Sequence, residues 1–195
     1  VVEAGSVAHI TNEEEVLGTA SLRVIADHIR SSAFLIADGI TPGNEDRAYV
    51  LRRIIRRALR HGYKLNIREP FFHKLVKVLV DEMGEAYPLL AQHEQAVTNA
   101  LAEEEARFSE TLNQGMELLK GELNQVKGDT LPGEIAFKLY DTYGFPVDLT
   151  ADVARELGLQ VDQEGFDEAM EAQRARGRAS TSFSTSLGQK ISVKQ

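Results

Sequence analysis

Arg52, Arg53, Arg56, Arg57 and Arg60 recur in pairs along one stretch, separated by Leu51, Ile54, Ile55, Ala58 and Leu59. At about 100° per residue, a helix gathers the apolar residues on one arc and the arginines on another. Ordinary solvated helix faces mix lysine with glutamate, because like charges three or four residues apart cost stability. An arginine-only face is chemistry in waiting. Between Asn44 and Pro70 the chain carries eight basic residues, Arg47, Lys64 and Arg68 among them, against three acidic ones; this local excess of +5 lies in a chain of net charge −8. Positive charge concentrated in one place makes a local anion site, and the arginine fork matches phosphate oxygens. A nucleic-acid backbone is the first expectation. An acidic protein surface and an anionic membrane are the alternatives.

Little else in the chain proposes catalysis. His9, His28, His61, His73 and His93 are never three or four residues apart, and there is no cysteine, so no compact metal set is expected. No phosphate-binding loop, dinucleotide fingerprint or nucleophile elbow occurs. Glu103, Glu104, Glu105, Glu110, Glu117 and Glu122 read as the solvated face of a long helix. By residue type alone, Asn44 is a helix N-cap and Asp141 a hydrogen-bonding group at a helix end, with Tyr140 and Tyr143 beside it. These features describe a binding module.

The elements that must position these residues are helical. At 195 residues and 43% hydrophobic content the chain can bury a real core, and the fold class expected is all-α: a multi-helix bundle with a long helix and a second small helical subdomain. Residues 1–18 read as a leader or the end of a preceding domain, with a short turn after Thr11. Residues 19–176 form the helical region. A first helix starts near Thr19 or Ser21 and stops at Gly39. The arginine helix runs from its N-cap Asn44 to a C′ glycine at Gly62. Pro70 opens a helix that Gly84 closes, and a long helix is expected from about Leu89 to Lys127. Further helices cover Ile135–Tyr143, Val147–Leu157 and, capped by Asp162, the stretch to about Gln173. Residues 177–195, rich in Gly, Ser and Thr, read as a linker or the start of a following domain. With no apolar run long enough for a membrane span and no signal-peptide pattern at the N-terminus, a soluble, cytoplasmic protein is expected.

Three long segments, in order and with similar separations, resemble alanyl-tRNA synthetase: Ser21 to Arg30, Asp38 to Ala58, and Phe137 to Thr150. The match runs from about Ser21 to Arg176 and resembles the helical tRNA-recognition region between that family's aminoacylation core and its editing domain. It departs at Ala48, where the family usually has glycine. The resemblance implies a parent enzyme, an alanine–tRNA ligase, whose partner is the acceptor stem of tRNA(Ala). It also implies catalytic and editing domains within the same chain. The class II core motifs, with ATP and Mg, would lie before Val1, and the zinc-binding His-x-x-x-His editing motif after the C-terminus. No catalytic residue and no cofactor are then expected in this segment.

The same resemblance assigns roles. Its family selects a G·U wobble pair near the end of the alanine acceptor stem, where the guanine 2-amino group lies unpaired in a shallow minor groove. Asn44 and Asp141 match the positions that read this pair. Arg47, Arg52, Arg53, Arg56, Arg57 and Arg60 would hold the stem backbone. Docking of an acidic protein on the arginine face is the alternative.

Overall fold

The computed structural model describes residues 19–126 and 128–185, with side chains described as far as Arg176. The architecture is all-α. Its helices are α1 (Ala20–Ala37), α2 (Asp46–Lys64), α3 (Leu75–Met83) preceded by a 3₁₀ turn (Phe72–Lys74), α4 (Pro88–Gln92), α5 (Glu94–Leu123), α6 (Gly133–Tyr143), α7 (Val147–Glu156) and α8 (Gln163–Thr185). The described residues fall into two compact units divided after Gln114. No described helix is long and apolar enough to cross a membrane.

In the first unit α1 packs against α2, α3 and α4. The periodic residues of α1 deliver this: Leu22, Ile25, Ile29, Ala33 and Ile36 are all buried. The helix ends as the sequence predicts, with Gly39 at a φ of +89° beyond Asp38 and the Ile40 amide donating back to the Leu35 carbonyl. Leu51, Ile55, Ala58 and Leu59 of α2 and Phe72, Leu75 and Val76 fill the remaining core.

Several boundaries differ from the sequence reading. Among them, Pro70 does not open the helix, which starts at Leu75 behind a 3₁₀ turn, and the long helix ends at Leu123 rather than near Lys127. Glu45, not Asn44, occupies the N-cap position of α2, and no side chain caps that end. Gly62 lies inside α2 rather than beyond it: a Cβ there would approach Phe71 Cε1 to 2.4 Å, so this glycine makes room for a ring instead of turning the chain. The long helix is broken at His93, whose Nδ1–H donates to the Leu89 carbonyl at 2.9 Å while its backbone N–H also bonds there. Imidazole and amide together take the last carbonyls of α4, and α5 starts afresh at Glu94. At the other end of the chain α8 continues to Thr185, past the expected linker boundary, with the helix formers Ala175, Arg176, Arg178 and Ala179 on either side of Gly177. The readings for residues 1–18 and 186–195 lie outside the described residues.

In the second unit α8 and α7 pack on α6. Gly144 ends α6 with a φ of +67°, and the Phe145 amide reaches back to the Leu139 carbonyl at 3.0 Å. Asp162 caps α8, its Oδ1 accepting the Gly165 amide at 2.9 Å. Absent from the sequence reading is a two-residue parallel pairing, β1 (Thr130–Leu131) with β2 (Gln160–Val161), in the register Thr130 to Gln160. It ties the strand before α6 to the strand before α8. Gly133 sits at that junction, where a Cβ would fall 2.2 Å from Phe166 N and 2.4 Å from Gly165 C. Backbone cannot yield as a side-chain tip can. Gly133→Ala is therefore expected to lower stability by about 1–3 kcal/mol, the usual cost of overpacking. Urea denaturation followed by circular dichroism checks it, and an unchanged midpoint would refute the close approach.

Candidate nucleic-acid interface

The two residues matched to base reading lie in different units: Asn44 in the first, Asp141 in the second. Asn44 is exposed on the connection from α1 to α2. That connection is tightly held. The Gly43 amide donates to the Ala48 carbonyl at 3.0 Å, and a Cβ on Gly43 would come within 2.7 Å of the Ala48 methyl. Asp46 opens α2 at a φ of +47°, a conformation that costs a non-glycine residue free energy and that a loop adopts only when its surroundings fix it. Asn44 takes no part in capping; its Oδ1 accepts a hydrogen bond from Arg52 Nη1.

Asp141 is exposed in the last turn of α6, where its Oδ1 accepts from Gln173 Nε2 of α8. The predicted helix end is thus present, with Gly144 terminating the turn behind it.

An outward arginine face is not what α2 presents. Arg52, Arg56 and Arg60 are buried, at 9%, 8% and 3% exposure. Arg52 Nε donates to Glu104 Oε2 at 3.2 Å, and Arg56 Nε to Glu104 Oε1 at 2.7 Å. The Arg56 guanidinium also lies 4.8 Å from the centre of the Phe108 ring. Burial pushes its pKa below the usual arginine value, and the adjacent Glu104 carboxylate opposes that shift. Glu104 is itself only 3% exposed, so it belongs to the interior and not to a solvated face. Glu105 is buried beside it, accepting the amides of Phe71 at 2.8 Å and Phe72 at 3.0 Å and contacting His73 Nδ1 at 2.7 Å. Of the glutamate run only Glu103 points to solvent there, in an exposed pair with Arg107.

What α2 leaves accessible is an edge. Arg47 is exposed, and Arg53 and Arg57 are half-buried. Arg53 lies 5.8 Å from the Tyr49 ring centre, and Arg57 is close enough to His28 to help keep that imidazole's pKa below its usual value, an effect dominated by burial. Farther along, Arg68 stacks over Tyr63 at 3.8 Å and donates to the Tyr63 carbonyl. Such a surface offers arginine forks and one amide in a fixed loop. It suits phosphate and minor-groove contacts.

Comparison with known proteins decides the family. The family model described as tRNA synthetases class II (A) matches residues 2–195. The chain belongs to that family. Alanine–tRNA ligase of Methylococcus capsulatus is 62% identical over 175 residues, covering 90% of this chain and 20% of the relative. The enzyme so described from Hydrogenovibrio crunogenus is 55% identical over 184 residues, 94% of this chain and 21% of its own length. That of Neisseria meningitidis serogroup C is 59% identical over 178 residues, 91% and 20%. The chain thus spans about a fifth of the length of the curated relatives it matches.

Proposed function

We propose that this chain is the helical tRNA-recognition segment of an alanine–tRNA ligase, supplying acceptor-stem specificity to a catalytic core elsewhere in the parent enzyme. The observation that carries the reading is identity of 55–62% to alanine–tRNA ligases over about nine-tenths of the chain. Asn44 and Asp141, each exposed in its own unit, carry side-chain oxygens able to accept from an unpaired guanine 2-amino group, such as a G·U pair presents in the minor groove. Arg47, Arg53 and Arg57 contact the stem backbone, whereas Arg52, Arg56 and Arg60 hold α2 in place. ATP with Mg and the editing zinc belong to other parts of the parent. Among the described residues no group of His, Asp or Glu side chains is arranged to hold a metal ion.

The test compares two alanine acceptor-stem minihelices that differ only in G·U against G·C, titrated at two salt concentrations. The expected result is tighter binding of the G·U stem, with affinity for both falling steeply as salt rises. Asp141→Ala should weaken G·U binding while leaving the G·C stem unchanged. Arg47→Ala should weaken both and reduce the salt slope by about one. Equal loss on both stems for Asp141→Ala would remove its base-reading role. Salt-insensitive binding, indifferent to the wobble pair, would favour an acidic protein partner instead.

A further inference from the structure

A side-chain amide is two-faced: one end accepts hydrogen bonds, the other donates them. A residue that reads a base edge must show the right end, and on an exposed loop nothing in its own chemistry decides which. In this chain a neighbour decides. Arg52 donates to Asn44, and a guanidinium has no acceptor, so the amide atom facing it is the oxygen. Arg52 is in turn held through Nε by Glu104 on α5 at 3.2 Å. Glu104, 3% exposed, is gripped on its other oxygen by Arg56 at 2.7 Å. A buried carboxylate, a buried guanidinium and an exposed amide thus form a continuous chain that ends at the surface.

From this geometry we infer that Glu104, acting through Arg52, is a positioning residue that holds the Asn44 amide in one orientation, Oδ1 towards Arg52 and Nδ2 away from it. The inference rests on the reading of Asn44 as a base-contacting residue. Its consequence is chemical. Oδ1 keeps a second lone pair for a donor such as an unpaired exocyclic amine, and Nδ2 is offered to an acceptor beside it, such as a ribose 2′-oxygen. Without the anchor the amide turns over freely, and half its orientations present donor to donor.

Arg52→Lys is the informative variant. Lysine keeps the charge but is a point donor on a flexible stem, unable to bridge Glu104 and Asn44 with the geometry of a fork. Arg56 still pairs with Glu104, so no buried carboxylate is orphaned. In minihelix binding by the 195-residue chain, Arg52→Lys should reduce the preference for G·U over G·C about twofold, the cost of leaving half the amide orientations unable to accept, and its combination with Asn44→Ala should lose no more than Asn44→Ala alone. A direct phosphate contact by Arg52 predicts instead equal weakening on both stems. If Asn44→Ala abolishes the preference and Arg52→Lys leaves it intact, the positioning role is overturned while the base-reading role stands. If Asn44→Ala leaves the preference unchanged, the base-reading role itself fails.

A second measurement needs no ligand. In ¹⁵N spectra of the chain, the Asn44 side-chain NH₂ pair, assigned by its loss in Asn44→Ala, should lie away from the shifts of exposed asparagine. It should collapse towards them in Arg52→Lys. An NH₂ pair unmoved by that substitution would overturn the inference regardless of RNA binding.

Discussion

Glu104→Leu should lower the stability of the protein by about 3–5 kcal/mol, the cost of leaving buried charge without its partner. The expectation comes from a carboxylate at 3% exposure that meets two guanidinium groups, Arg52 at 3.2 Å and Arg56 at 2.7 Å. Arg52 and Arg56 are only 9% and 8% exposed, on a helix whose Leu51, Ile55 and Leu59 are locked in the core. Set against a typical total of about 5–15 kcal/mol, the loss is a large part of what holds the fold. Thermal and urea unfolding by circular dichroism measure it. Glu104→Leu combined with Arg56→Leu should cost less than the two single changes added, since the pair is removed together and apolar side chains suit the site beside Phe108. A single-site loss below about 1 kcal/mol would mean that water reaches the cluster, and the buried triad would have to be abandoned.

The same cluster shows where the sequence was legible and where it was not. The period of α1 and α2 is local information: Leu22, Ile25 and Ile29, or Leu51, Ile55 and Leu59, reveal their buried face by spacing alone. Helix ends were readable where one residue type is demanded by backbone geometry, as at Gly39 and Gly144 with positive φ. Gly62 was misread because a glycine that admits a ring and one that turns a chain look identical until Phe71 is placed. Glu103, Glu104 and Glu105 were misread for a related reason. Three consecutive residues span about 200° of a helix, so they cannot share one solvated face. Glu103 faces water with Arg107, whereas Glu104 and Glu105 turn inward. The available signal was the like-charged arginine face of α2, which needs counter-charge from somewhere; the partner lies 48 residues away from Arg56, beyond any pattern rule. Asn44 followed the same logic. Its type suits a cap, and only Arg52 shows that the side chain is engaged elsewhere.

Glu105→Ala is expected to be comparably damaging, again about 3–5 kcal/mol, but by a different route. Its carboxylate accepts the backbone amides of Phe71 at 2.8 Å, Phe72 at 3.0 Å and His73 at 3.4 Å, and contacts the His73 ring at 2.7 Å. These amides begin the 3₁₀ turn that leads into α3, where a helix start has no carbonyls of its own to bond. Glu105 is thus a cap supplied by another helix, 1% exposed and aligned with the positive end of the turn. Alanine orphans buried donors, each costing about 1–3 kcal/mol. Glu105→Gln keeps an acceptor for Phe71 and Phe72, and so should cost about half as much. The consequences extend to α2, because the Phe71 ring occupies the space opened by Gly62. Hydrogen exchange should therefore accelerate first at Phe71–His73 and, in the same variant, through the last turn of α2. Faster exchange confined to the amides of α3, with α2 fully protected, would show that Phe71 keeps its seat without Glu105 and that the carboxylate is not what fastens it.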